Sequence, residues 1–117
     1  MAKPVEAEEA TIIEMPYTPE LAEDLIKYYA DKYAVDFDLM YDIVDCETAG
    51  TFKADIQSGH VKNGVQEPSF GLSQIHLPSH KTVSYEQAID PNFALNFLAE
   101  NISQGNVGIW SCYKIVR

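Results

Sequence analysis

The stretch from residue 50 to residue 83 does most to limit how this chain can fold. It carries Gly50, Gly59, Gly64 and Gly71 together with Pro68 and Pro78, and no apolar period runs through it. Glycine permits left-handed backbone and proline removes an amide donor, so both interrupt regular structure. The stretch is therefore predicted as loops with short helical or extended pieces. A long irregular insert inside a compact domain is usually functional.

On both sides of the insert the apolar residues recur at helical spacing. Thr18 can cap, Pro19 suits a first turn, and Leu21, Leu25, Ile26 and Tyr29 form a stripe, which predicts a helix over 17–33. Asp36 caps a second helix over 37–49, with Phe37, Met40, Tyr41 and Val44 on one face and Gly50 as its stop. After the insert, Ser84 and Gln87 make a capping box for a short helix, and Asp90-Pro91 opens a longer one over 91–105. A last amphipathic piece, 107–116, returns Trp110 and Cys112 to the core. No strand pattern of any strength appears, so the expected fold class is all-α.

With 117 residues, 46% of them hydrophobic, the chain can build one core and no more. Residues 1–16 hold Glu6, Glu8, Glu9 and Glu14 with little bulky apolar content and are expected to be an acidic tail or linker ahead of a domain over 17–117. The net charge is −10, and residues 1–47 hold 13 acids against 3 bases. Nucleic acid and anionic membranes need clustered Lys and Arg, so neither is an expected partner. No apolar run is long enough to span a membrane, and the first residues lack the basic-then-apolar pattern of a signal peptide. The expectation is a soluble chain, its export signal removed or never present.

Cys46 and Cys112 are too few for a disulfide-stapled miniprotein, and no CxxC or Cys/His cluster suggests zinc. They are two buried thiols or one bridge. A bridge would close a loop spanning 66 positions, contributing about 4 kcal/mol in the chain-entropy picture. It would also place the protein outside the reducing cytosol.

Glu47 is the anomaly of the second helix. It follows Met40, Ile43 and Val44 by seven, four and three positions, so it sits on or beside the buried face at the last turn. The helix dipole there disfavours a negative charge. A lone glutamate near a helix end is ordinarily a solvated charge, and only a joint pattern lifts it above that.

Such a pattern exists. Cys46-Glu47-Thr48, then Ser69-Phe70-Gly71-Leu72-Ser73-Gln74-Ile75, then Asn96-Phe97-Leu98-Ala99-Glu100-Asn101, then Trp110 with Cys112, resembles the lytic transglycosylase family, which is related in fold to goose-type lysozyme. The likeness spans roughly residues 20–113. It implies an all-α, lysozyme-like domain with helices around a glycan groove. It implies Glu47 as the catalytic acid/base, and Thr48, Ser69, Gly71, Leu72, Ser73, Gln74 and Ile75 as substrate-binding residues. Thr48 stands where serine is usual, Ser73 where methionine is usual, and the family's later Ala-Tyr-Asn-Ala-Gly segment is absent.

The implied partner is the glycan strand of peptidoglycan, cleaved between N-acetylmuramic acid and N-acetylglucosamine by an extracytoplasmic monomer without metal or cofactor. An extracytoplasmic substrate in turn favours the Cys46–Cys112 bridge over free thiols, and such a bridge would hold the Glu47 turn against the last helix.

The chemistry can be stated without the family. A glutamate must be raised from its ordinary pKa toward about 6 to donate a proton at neutral pH, and an apolar pocket at a helix end does this by desolvation. A transglycosylase route then needs no second carboxylate. A hydrolase of the same type, the alternative reading, needs a second acid or a held water, and Asp55 and Glu67 are the insert's only acids. A non-catalytic glycan-binding module is a further alternative. His60, His76 and His80 lie in or beside the expected groove but lack metal-ligand spacing. Tyr28, Tyr29, Tyr33, Tyr41, Tyr85 and Tyr113 fit helical packing better than sugar stacking.

Overall fold

The computed structural model describes residues 16–116. The expected acidic tail lies, but for Pro16, outside the described residues.

A 3-10 turn, Pro19–Leu21, leads into α1, Ala22–Tyr33. Thr18 makes no side-chain cap bond; the turn itself supplies the lead-in. The helix stops at Ala34 in the left-handed region, φ 56°. Asp36 begins α2, Phe37–Glu47, its carboxylate accepting the Leu39 amide at 2.9 Å. The expected helix ran two residues further. It ends at Glu47 because Thr48 leaves helical geometry and Ala49 and Gly50 both take positive φ.

The insert corrects the fold class. Two antiparallel ladders cross it, β1 Val61–Lys62 with β2 Val65–Gln66, and β3 Ser69–Phe70 with β4 Ile75–His76. The molecule is mixed, mainly helical with two small hairpins, and not the all-α, lysozyme-like arrangement expected above. Each strand is two residues long, so an alternating pattern has no length over which to show. The first hairpin did carry a local signal. Asn63 and Gly64 both take positive φ, 55° and 78°, the two-residue turn whose twist suits paired strands.

After the insert come α3, Tyr85–Ala88, with its Ser84–Gln87 capping box, and α4, Pro91–Ser103, with Asp90 accepting the amides of Asn92 and Phe93. The last expected helix divides into a 3-10 turn, Val107–Ile109, and α5, Ser111–Val116. Trp110 separates them with extended backbone.

One core holds these pieces together. Leu25, Ile26 and Tyr29 of α1, Met40, Ile43 and Val44 of α2, and Leu95 and Leu98 of α4 are buried against Leu72 of the insert and Trp110. Each large apolar side chain so buried contributes about 1.5–3 kcal/mol. Polar ties fix the register of α1 on α4: the Tyr29 hydroxyl donates to Asn92 at 2.7 Å and the Tyr33 hydroxyl to Asn96 at 2.9 Å. The stripe that buries α2 also determines which way its last residue faces. Among the described residues no helix is long and apolar enough to cross a membrane.

Candidate active site

Glu47 opens onto a cleft of about 880 Å³ between the end of α2, the insert and the start of α5. It is the last residue of α2, and the apolar stripe beneath it prevents its carboxyl from turning wholly into water. Burial pushes its pKa up from 4.5 to about 7. The backbone of Cys112 pulls the other way by hydrogen bonding, and the charge of Glu67 adds a smaller upward push. Desolvation dominates, as it does for carboxyls that act as acids near neutrality. Near pH 7 Glu47 is poised between donor and acceptor.

The two sulfurs are bonded. Cys46, one residue before Glu47, and Cys112, the second residue of α5, form a disulfide. The turn bearing the acid and the helix whose backbone touches it are thus covalently joined.

Seven residues were expected to bind substrate, and the structure separates them. Ser69, Gln74 and Ile75 line the cleft together with Glu47. Gln74 holds φ 49°, and its Nε2 donates to the carbonyls of Ile56, at 3.0 Å, and Gly71, at 2.9 Å. With both amide hydrogens used, Gln74 can offer a ligand only an acceptor.

Thr48, Gly71, Leu72 and Ser73 stand behind the cleft wall. The Thr48 hydroxyl, fully buried, donates to the Val44 carbonyl at 2.8 Å and accepts the Phe52 amide at 3.0 Å. It closes the end of α2 and turns the chain into the insert. Ser73 donates to the Ala94 carbonyl at 3.0 Å, and its own carbonyl accepts the Trp110 indole at 2.6 Å. Leu72 belongs to the core. Gly71 has φ 86°, and a Cβ there would lie 1.9 Å from the Ala88 carbonyl oxygen, so only glycine allows the insert to lie on α3.

Of the two acids considered for a second carboxylate, Asp55 is exposed and does not line the cleft, whereas Glu67 does. Glu67 is well held. Its Oε1 accepts from the Ser58 hydroxyl at 2.8 Å, its backbone carbonyl accepts from Gln57 at 3.0 Å, and its amide donates to the His60 carbonyl at 2.8 Å. Ser58 and Gln57 were not singled out in the sequence; isolated polar residues in a loop carry no signal of what they will hold. Phe97 of α4 also reaches the cleft, packed edge-on between His80 and Trp110.

Of the tyrosines, only Tyr29 is fully buried, while Tyr85 is exposed and meets Phe70 edge-on at 5.0 Å between ring centres. Among the described residues no group of three His, Cys, Asp or Glu side chains could hold a metal ion.

No protein-family model, curated protein or solved structure matches the chain. The likeness to lytic transglycosylases is carried by the motif residues alone.

Proposed function

We propose that this protein is a peptidoglycan lytic transglycosylase that cleaves the bond between N-acetylmuramic acid and N-acetylglucosamine, with Glu47 as its single acid/base. The observation that carries the reading is a half-buried carboxyl raised to about 7 on the wall of a cleft large enough for sugar rings. Protonated Glu47 gives its proton to the glycosidic oxygen as the bond to the anomeric carbon breaks. The resulting carboxylate takes a proton from the muramic 6-hydroxyl, whose oxygen attacks the anomeric carbon and leaves a 1,6-anhydro ring. Glu47 begins and ends the cycle without needing solvent, which suits a carboxyl that can occupy either state near neutrality. Ser69 and Gln74 supply polar contacts on the same wall. The Cys46–Cys112 disulfide agrees with work outside the reducing cytosol.

One observation favours hydrolysis as a second reading. Glu67 shares the cleft, is held by Ser58 and acts on Glu47 electrostatically. A second carboxylate so placed can orient or activate a water, which would then attack in place of the 6-hydroxyl.

Incubation with purified peptidoglycan and mass spectrometry of the soluble products tests both readings, with Glu47→Gln as the control. Products ending in 1,6-anhydro-N-acetylmuramic acid, absent with the variant, support transglycosylation. Products heavier by one water support hydrolysis. Release of nothing by the native protein removes both.

A further inference from the structure

All three histidines of the chain, His60, His76 and His80, line the cleft that holds Glu47. No lysine or arginine among the described residues lines it. The titratable groups facing the cleft are the three imidazoles, Glu47 from the end of α2 and Glu67 from the link between β2 and β3. The aromatic and terminal side of the cleft, from Phe97 to Ser111, brings no charge. Whatever positive charge the cleft can present must therefore come from imidazole.

The placements differ in a useful way. His60 is exposed just before β1, His76 ends β4, and His80 follows the 3-10 turn Leu77–Ser79. The Nδ1 of His76 is engaged with the Ser79 hydroxyl at 2.7 Å, which leaves Nε2 for a ligand. His80 is set by its edge-on contact with Phe97, 5.1 Å between ring centres.

A chain of net charge −10 repels an anionic polymer at long range. To bind one it needs local positive charge, and imidazole supplies that in the mildly acidic range. We propose that His60, His76 and His80 form a carboxylate-reading wall, so that the preferred substrate is a glycan strand bearing acidic peptide branches and not a bare amino-sugar chain. This rests on the glycan-cleaving reading above and adds the substrate class and a pH dependence of binding.

Binding is the direct test, measured by calorimetry with the Glu47→Gln protein so that neither turnover nor Glu47 ionisation contributes. Two fragments of equal sugar length are compared at pH 5.5 and pH 8, one with peptide branches and one without. The branched fragment should bind about tenfold tighter at the lower pH, the expected effect of one charge-assisted hydrogen bond, and the bare fragment should show no such gain. His76→Gln and His80→Gln, each added to Glu47→Gln, should reduce the gain; so should His60→Gln, an exposed change that threatens no packing. Glu67 is present throughout and cancels in these comparisons. Equal affinity for the two fragments, or a pH gain that survives all three substitutions, overturns the histidine wall while leaving glycan binding intact. Failure of both fragments to bind at either pH overturns the glycan reading and the wall together.

Discussion

Glu47 and Cys112 are linked twice: the Cys112 backbone hydrogen-bonds toward the Glu47 carboxyl, and the Cys112 sulfur is bonded to Cys46, the residue before Glu47. The carboxyl is thus held by the same residue that holds its helix end. The arrangement makes the acid's position depend on a bond distant in sequence, 66 positions being closed by it.

Removing that bond should therefore affect both stability and acid placement. Cys46→Ser with Cys112→Ser, or reduction of the native protein, should lower unfolding free energy by about 4 kcal/mol in the chain-entropy picture. Denaturant titration with and without reductant measures this. The unreduced, denatured protein should show neither Cys46 nor Cys112 as a free thiol, and a pair of reactive thiols there would contradict the linkage.

The raised pKa of Glu47 has a definite sign for stability. Its folded value, about 7, lies above its ordinary 4.5, so between those values the folded state binds more protons than the unfolded state. Stability therefore falls as pH rises through that window and is flat above it. Because the group is only partly buried, the loss is on the order of 2 kcal/mol after discounting for solvent screening. Glu47→Gln should abolish this slope and unfold at higher denaturant than the native protein at pH 8. An unchanged slope would mean that Glu47 is not desolvated.

Glu67→Gln separates the two chemical readings. Removing this acid takes away an upward push on Glu47, so the alkaline limb of the pH–rate profile should move below about 7. For a transglycosylase the anhydro products persist and the rate at the new optimum changes little. For a hydrolase the water-added products should fall about 10²–10⁴-fold, the usual worth of a positioned acid or base.

Gly71→Ala should be among the most damaging small changes in the chain. The added carbon meets backbone, the Ala88 carbonyl, at 1.9 Å, and the residue must also hold φ 86°. Moving α3 or the insert to relieve the clash costs about 3 kcal/mol or more, combining overpacking with backbone strain. Thermal unfolding by circular dichroism should show a large drop in Tm or no cooperative transition. A near-native Tm would imply that the insert does not lie against α3.

Thr48 offers a gentler test of the wall behind the cleft. Thr48→Val keeps the shape but leaves the buried Phe52 amide without its acceptor, which costs about 1–3 kcal/mol, whereas Thr48→Ser keeps the bond. Equal loss with both substitutions would point instead to packing of the methyl group.

The helices were legible because each carries its instructions within a few residues. Asp36, Ser84 and Asp90 cap the elements they precede, and the stripes of α1, α2 and α4 became the core. The same local pattern placed Glu47 at the edge of the buried face. The two hairpins were not expected, because two-residue strands have no period to read, although Asn63-Gly64 marked one of the turns. Nor could the motif reveal its own division of labour. Gln74 faces the cleft while Leu72 and Ser73 face the core because Gly71 turns left-handed against Ala88, a contact between segments far apart in the chain. The gathering of Glu67 and three histidines around one acid likewise depends on how the insert folds back over α2 and α5. Periodicity and caps report on neighbours along the backbone. The chemistry of a cleft depends on neighbours through space, and these exist only once the core has closed.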